Sequence, residues 1–314
     1  MGIRRLMCDG VGCVVAAGLL ASPALGQGSG SAQLSSRPLD EAARALQSTY
    51  ATPVTYEDPV LFWRGDMDGR EVAGSTRFTL KDRAFALPDD LTPARTPQLD
   101  ATSLGRALDL YHQLNSDGPR FRLIQSRYAL HIVPESVRDE NGQRTGVTPL
   151  LDAVITVPPE ARLPSGHVKA ICDAVSAATG VSLGFFGPYV DTQYAPNGLI
   201  PPKPQLLSLE DEATRRQFYF TWGASAATAR EALVSLLEGS ETTLSWGLLC
   251  SPNGEPGKRA CMLNMAAMEV AVMGSDGRPS VRALELDRCN RNCQPLPMPV
   301  SQPPKTAVPG RPLH

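Results

Sequence analysis

The stretch Val168-Lys169-Ala170-Ile171-Cys172-Asp173-Ala174-Val175-Ser176-Ala177-Ala178-Thr179-Gly180-Val181-Ser182-Leu183-Gly184-Phe185 decides the fold class. Val168, Ile171, Cys172 and Val175 recur at i, i+3, i+4 and i+7, the spacing of one helical face. Gly180 follows where a helix end commonly needs a left-handed residue. Val181 to Phe185 then reads as a strand. Upstream, Val154-Ile155-Thr156-Val157 is also a strand, and Pro158-Pro159 is expected to end it, since proline donates no backbone hydrogen bond. The unit is an amphipathic helix, a cap and a short strand.

Three more copies flank it. Leu39, Ala42, Ala43, Leu46 and Tyr50 lie on one helical face, with Asp40 and Glu41 in the dipole-favoured first turn. Thr52-Pro53 stops that helix, and Val54-Thr55-Tyr56 is a strand. Leu104, Ala107, Leu108 and Tyr111 form a second stripe, after which Phe121 to Val133 reads as one strand. Ala229, Ala232, Leu233, Leu236 and Leu237 form another stripe, with Gly239 as its expected cap. Ser225 in Gly223-Ala224-Ser225-Ala226-Ala227 is expected to cap its start, because serine is a favoured N-cap. Thr242 to Leu249 and Met262 to Val272 then read as a hairpin. One-faced helices must cover a sheet. The class is α+β, repeated helix-strand modules packing amphipathic helices on small mixed sheets, with one sheet face partly wet. The expected division is a first module over 38–135 and a second, with its hairpin, over 145–290.

The run Leu39-Asp40-Glu41-Ala42-Ala43-Arg44-Ala45-Leu46-Gln47-Ser48-Thr49-Tyr50-Ala51-Thr52-Pro53-Val54-Thr55-Tyr56 resembles the helix-strand core of secretin and TonB short N-terminal (STN-like) domains. Residues 170–183, with their Thr179-Gly180-Val181 junction, and residues 232–246 are similar. The resemblance implies a periplasmic module that contacts proteins, and it carries over no catalytic residue. In that family the module precedes a barrel or secretin body. No long series of alternating strands follows it here.

The ends point to export. Arg4 and Arg5 precede the apolar run Val11 to Leu20, Ser22-Pro23 breaks it, and Ala24-Leu25-Gly26 places small residues at a cleavage position. The run is short for a bilayer span. Residues 1–26 therefore read as a signal peptide, interrupted only by Asp9, and no later segment is apolar enough to span a membrane. Residues 27–37 are a Gly/Ser-rich linker. Residues 291–314 carry closely spaced prolines and read as a disordered tail. Location follows as periplasm or secreted.

Of 7 cysteines, Cys8 and Cys13 leave with the leader. Cys250 and Cys261 flank a turn-rich stretch, and a disulfide there suits an oxidising compartment. Closing such a loop is worth on the order of 3 kcal/mol. Cys289 and Cys293 could pair likewise. Cys172 reads as a small buried hydrophobe.

Net charge is −2, with 42% hydrophobic and 20% charged residues, so the chain can build a core but has no basic stripe for nucleic acid. His112, His131, His167 and His314 lack ligand spacing, so no metal or other cofactor is expected. Asp66-Met67-Asp68-Gly69 starts like a calcium loop but lacks the later ligands, and reads as a tight turn. Glu57-Asp58 reads as a solvated loop, and Asp139-Glu140-Asn141-Gly142 as a hairpin turn. The candidate binding residues are loop aromatics, Phe62, Trp63, Phe185, Phe186 and Tyr189, which suit recognition or plug a core. The leading expectation is a non-enzymatic envelope protein that binds a protein partner. The alternatives are an exported hydrolase with an unrecognised active site, or a sensor module.

Overall fold

Four helix-strand units share one central sheet in the computed structural model, which describes residues 33–72, 75–88, 91, 99–187, 219–240, 243–253, 259–273 and 279–283. The helices are α1 (Pro38–Tyr50), α2 (Ala101–Leu114), α3 (Pro164–Thr179) and α4 (Ala229–Leu237). The strands are β1 (Gln33–Ser35), β2 (Val54–Glu57), β3 (Met67–Val72), β4 (Ser75–Leu80), β5 (Arg83–Phe85), β6 (Arg120–Gln125), β7 (Leu130–Arg138), β8 (Arg144–Gly146), β9 (Val154–Arg162), β10 (Ser182–Phe186), β11 (Phe220–Thr228), β12 (Leu244–Cys250), β13 (Ala260–Ala267), β14 (Glu269–Met273) and β15 (Pro279–Ala283).

The central sheet runs β10-β13-β12-β2-β7-β6, with β8 added to β7. Strands β10/β13, β12/β2 and β2/β7 are parallel pairs, whereas β12/β13 and β6/β7 are antiparallel. Two-stranded pairs β1/β5, β3/β4, β9/β11 and β14/β15 surround it. The class is thus α+β with mixed sheets, and each helical stripe read from the sequence precedes a strand of the central sheet.

Side chains alternate along each strand, so the sheet divides two cores. One face packs Leu39, Leu46, Leu104, Leu108, Tyr111, Tyr56 and Ile132 under α1 and α2. The opposite face packs Val168, Ile171, Val175, Leu233, Leu236, Trp246, Leu248 and Leu263 under α3 and α4. Helix α1 crosses close over β12, since a Cβ on Gly247 would lie 2.9 Å from Asp40 Oδ1.

The helix ends follow local chemistry. Gly180 caps α3 at φ 72°, as read from the sequence. Asp100 caps α2 by accepting from the Ser103 N–H at 2.7 Å. At α4 the expectation fails twice. Ser225 lies within β11, and Thr228 is the N-cap, in a reciprocal capping box with Glu231. Gly239 is not left-handed; the helix closes with the Ser240 hydroxyl donating to the Leu237 carbonyl at 2.7 Å.

Two strand boundaries also need correction. Phe121 to Val133 is not one strand but the antiparallel pair β6/β7, turning where Ser126 N–H donates to the Ala129 carbonyl. Pro158-Pro159 does not end β9, which runs to Arg162. Among the described residues its only partner is β11, and the register shifts at the prolines, so no ladder donor is missed there. Gly223 lies at that shift, where an added Cβ would meet Pro159 N at 2.7 Å. Asp66-Met67-Asp68-Gly69 is the end of a 3-10 turn leading into β3, not a tight turn. The Asp139–Gly142 hairpin turn is present, with Gly142 at φ 76°.

Candidate functional site

Strand β2 brings together the polar groups of the interior. Thr55 and Glu57 face the α3/α4 core, while Tyr56 and Asp58 face α1. Glu57-Asp58 is therefore not a solvated loop: the two residues are 0% and 1% exposed. Buried carboxylates must be paired, and each finds its cation on a different side.

Glu57 accepts a two-pronged contact from Arg230 of α4. Arg230 also donates to Asp152 at 2.8 Å. Burial pushes the Glu57 carboxyl up, against the pull of Arg230. Burial also opposes the Arg230 charge, but Glu57 and Asp152 outweigh it. Asp58 accepts from Arg37 at 2.8 Å, from the Tyr56 hydroxyl at 2.8 Å and from the Cys250 N–H at 2.9 Å.

That last bond places the disulfide. With its N–H given to Asp58, Cys250 stands opposite Cys261 in a non-hydrogen-bonded pair, where strands approach most closely. The two sulfurs lie at disulfide distance, as read from the sequence. Cys172 is a buried free thiol pushed up to about 12 by burial, which makes it unreactive. Cys289 and Cys293 lie outside the described residues, as do the expected leader, the proline-rich tail, Tyr189 and His314.

Ser126 Oγ lies 2.9 Å from His131 Nε2, with Thr55 Oγ1 at 2.8 Å from Nδ1. The spacing is that of a nucleophile and its base. The chemistry differs: burial, helped by Arg230, pushes His131 down to about 3, and a threonine stands where a carboxylate would strengthen the base. Ser126 Oγ accepts the Tyr128 and Ala129 N–H groups, which makes it the clamp of the β6/β7 turn. His131 stacks on Trp246 with centroids 5.3 Å apart. His112 accepts the Phe121 N–H at 3.0 Å, and His167 lies 2.9 Å from the Phe220 carbonyl. Each packs within the fold, and His167 Nδ1 is buried without a hydrogen-bond partner. Among the described residues no group of three His, Cys, Asp or Glu could hold a metal ion.

The candidate aromatics separate. Phe62 and Phe185 are half-buried against the α3/α4 core. Trp63 is half-buried beneath Arg138, whose guanidinium carbon is 5.1 Å from the ring centre. Phe186 alone among these four projects, at 59% exposure. Beside it Met262 is 41% exposed and lies over Gly184, where an added Cβ would be 3.0 Å from Met262 Cε.

These two residues sit at one end of the sheet. Ser182, Gly184 and Phe186 pair with Ala260, Met262 and Asn264, so they share the α1 face. Among the described residues, no strand pairs with the outer side of β10. One N–H on β10 is already used: Leu183 donates to the Ser176 hydroxyl at 2.9 Å. The remaining edge, Gly184-Phe185-Phe186, carries no charge. The far edge, β6, carries Arg120 and Arg122, and Arg122 reaches Asp152 at 3.5 Å.

Sequence reasoning missed Arg230 and the burial of Glu57 because partners 173 residues apart share no local pattern. The Cys250–Cys261 pair was legible as a hairpin base, whereas Phe185 and Phe186, read as loop aromatics, lie in strand β10. Comparison with protein-family models, with curated proteins and with solved structures finds no match to this chain.

Proposed function

We propose that the chain is an exported, non-enzymatic protein-interaction module of the periplasm that takes up an extended segment of an envelope partner along β10. The observation that carries this reading is the uncharged Gly184-Phe185-Phe186 edge, flanked by exposed Phe186 and Met262. Unpaired strand edges template strand addition, and soluble proteins blunt the edges they do not use with charge. Edge β6 is blunted in that way and edge β10 is not. The repeated helix-strand unit and its likeness to STN-like modules support the same reading, as does the leader ending near Gly26. Among the described residues the hydrolase alternative would start from Ser126 and His131, and burial pushes that base down to about 3.

The test is site-specific photocrosslinking in intact cells, from position 186 and, as a control on the opposite edge, from position 122. The reading expects one stoichiometric envelope partner from position 186, none from 122, and loss of that partner in Phe186→Asp. A chain that crosslinks to nothing at 186, or equally at both edges, overturns it.

A further inference from the structure

Arg37, Arg83, Arg162 and Arg230 are buried or half-buried, and each holds a carboxylate. That is the usual condition for a charge drawn out of water. Arg120 of β6 and Arg138 of β7 are half-buried too. Among the described residues neither forms an ion pair or donates a hydrogen bond. Arg138 lies over the Trp63 ring, 5.1 Å from its centre. Arg144 of β8 donates to neutral oxygens: the Ser136 hydroxyl at 3.3 Å and the Ser116 and Gly118 carbonyls at 3.2 and 3.1 Å.

The sheet brings these three arginines together. Arg138 and Arg144 stand directly opposite one another on β7 and β8, where like charges repel. Ser136 and Gly146 form a neighbouring pair on the same face. Arg120 is the β6 partner of Ser136, at a bulge that leaves Glu135 as the extra residue of β7. A Cβ added at Gly146 would meet only the Glu135 carbonyl, at 3.9 Å, so the space over Gly146 is open. The cluster is felt by its neighbours. Burial, and next to it Arg120, holds the His112 ring below its ordinary value. Burial, then Arg120 and Arg138, does the same to the Arg144 guanidinium. Nearby acids are engaged elsewhere: Asp66 and Asp117 hold Arg83, and Asp139 accepts the Asn141 and Gln143 N–H groups. Glu135 is exposed to water.

We propose that Arg120, Arg138 and Arg144 bind a dianionic phosphoryl group over Ser136 and Gly146. A guanidinium presents a planar fork of N–H donors that matches phosphate oxygens, and such charge-assisted bonds are the strong ones. A phosphoryl group offers three acceptor oxygens to forks arriving from three strands, and a charge of about −2 to offset them. A carboxylate offers fewer oxygens and half the charge. The ligand is inorganic phosphate or the head of a small phosphate monoester. The site lies at the opposite end of the sheet from β10 and does not depend on that edge.

The experiment titrates the folded chain with inorganic phosphate, with glycerol 3-phosphate and with acetate at constant ionic strength, followed by the indole resonances. Saturable phosphate binding that moves Trp63, beneath Arg138, and leaves the distant Trp246 in place is expected, with acetate much weaker. Tighter binding of glycerol 3-phosphate assigns the site to monoesters, and its exclusion assigns it to free phosphate. Arg120→Gln takes no described hydrogen bond from the fold and should weaken binding about tenfold, as should Arg138→Gln. Arg122→Gln removes the same charge from the same strand, outside the site, and should leave the affinity nearly unchanged. No saturable binding of either phosphate, acetate binding as tightly, or equal weakening by Arg120→Gln and Arg122→Gln would overturn the proposal.

Discussion

The two faces of the central sheet are built differently. The α3/α4 face encloses the Glu57–Arg230 pair with His131 and Trp246, leaving Asp152 at its rim, and the disulfide closes the end of β12. The α1/α2 face leaves its charges nearer to water. Arg37 is 25% exposed beside Asp58, and Met262 and Phe186 project. The difference teaches a division of labour. Both faces bury a core; the most enclosed ion pair lies on one, and the proposed partner edge borders the other.

The comparison breaks most directly at the ion pairs. Arg230→Met should destabilise the chain by about 3–5 kcal/mol, because it strands Glu57 in the interior. Arg37→Met, on the other face, should cost only about 1–2 kcal/mol, since Asp58 keeps two other donors. Urea unfolding of both variants measures the contrast, and equal losses would erase the distinction between the faces. Replacing Cys250 and Cys261 together by alanine should cost about 2–3 kcal/mol for a loop of this length, read as a lower Tm under non-reducing conditions.

Acid probes the enclosed face next. The folded pKa of His131, about 3, lies below its ordinary value of 6.5. Its neutral burial therefore contributes stability that is complete above pH 6.5 and is lost as pH falls toward 3. The loss from this group at pH 5 is about 2 kcal/mol. Burial raises Asp40, Glu57, Asp58 and Asp66, so these bind protons more readily when folded and offset part of the loss. His131→Gln should flatten the stability difference between pH 7.5 and pH 5 by about the histidine's share, measured by denaturant titration at each pH. An unchanged slope would place the acid response elsewhere.

The smallest effect belongs to the open face. Phe186→Ser should change stability by less than about 0.5 kcal/mol, as surface substitutions do. A loss of several kcal/mol would mean that Phe186 is covered within the chain, and would remove the basis for a partner at β10.

The helical stripes, the Gly180 cap, the Asn141-Gly142 turn and the Cys250–Cys261 hairpin base were all legible in the sequence. Each is set by residues within about a dozen positions of one another, where periodicity and turn chemistry act alone. The errors fall where distant chain intervenes. Pro158-Pro159 stays in a strand because β9 bulges there, its two prolines standing opposite the single Gly223 of β11. Thr228 rather than Ser225 begins α4 because β11 continues past Ser225 to pair with β9.

By itself, then, the sequence determined the repeating helix-strand unit and which face of each helix is apolar. Only the tertiary structure decided that β2 lies between β12 and β7, and so that Glu57 and Asp58 enter opposite cores. Alternation along a strand turns adjacent acids to opposite sides, and strand order decides whether those sides are water or interior. No local pattern carries strand order, because the contacts that set it join residues far apart in the chain.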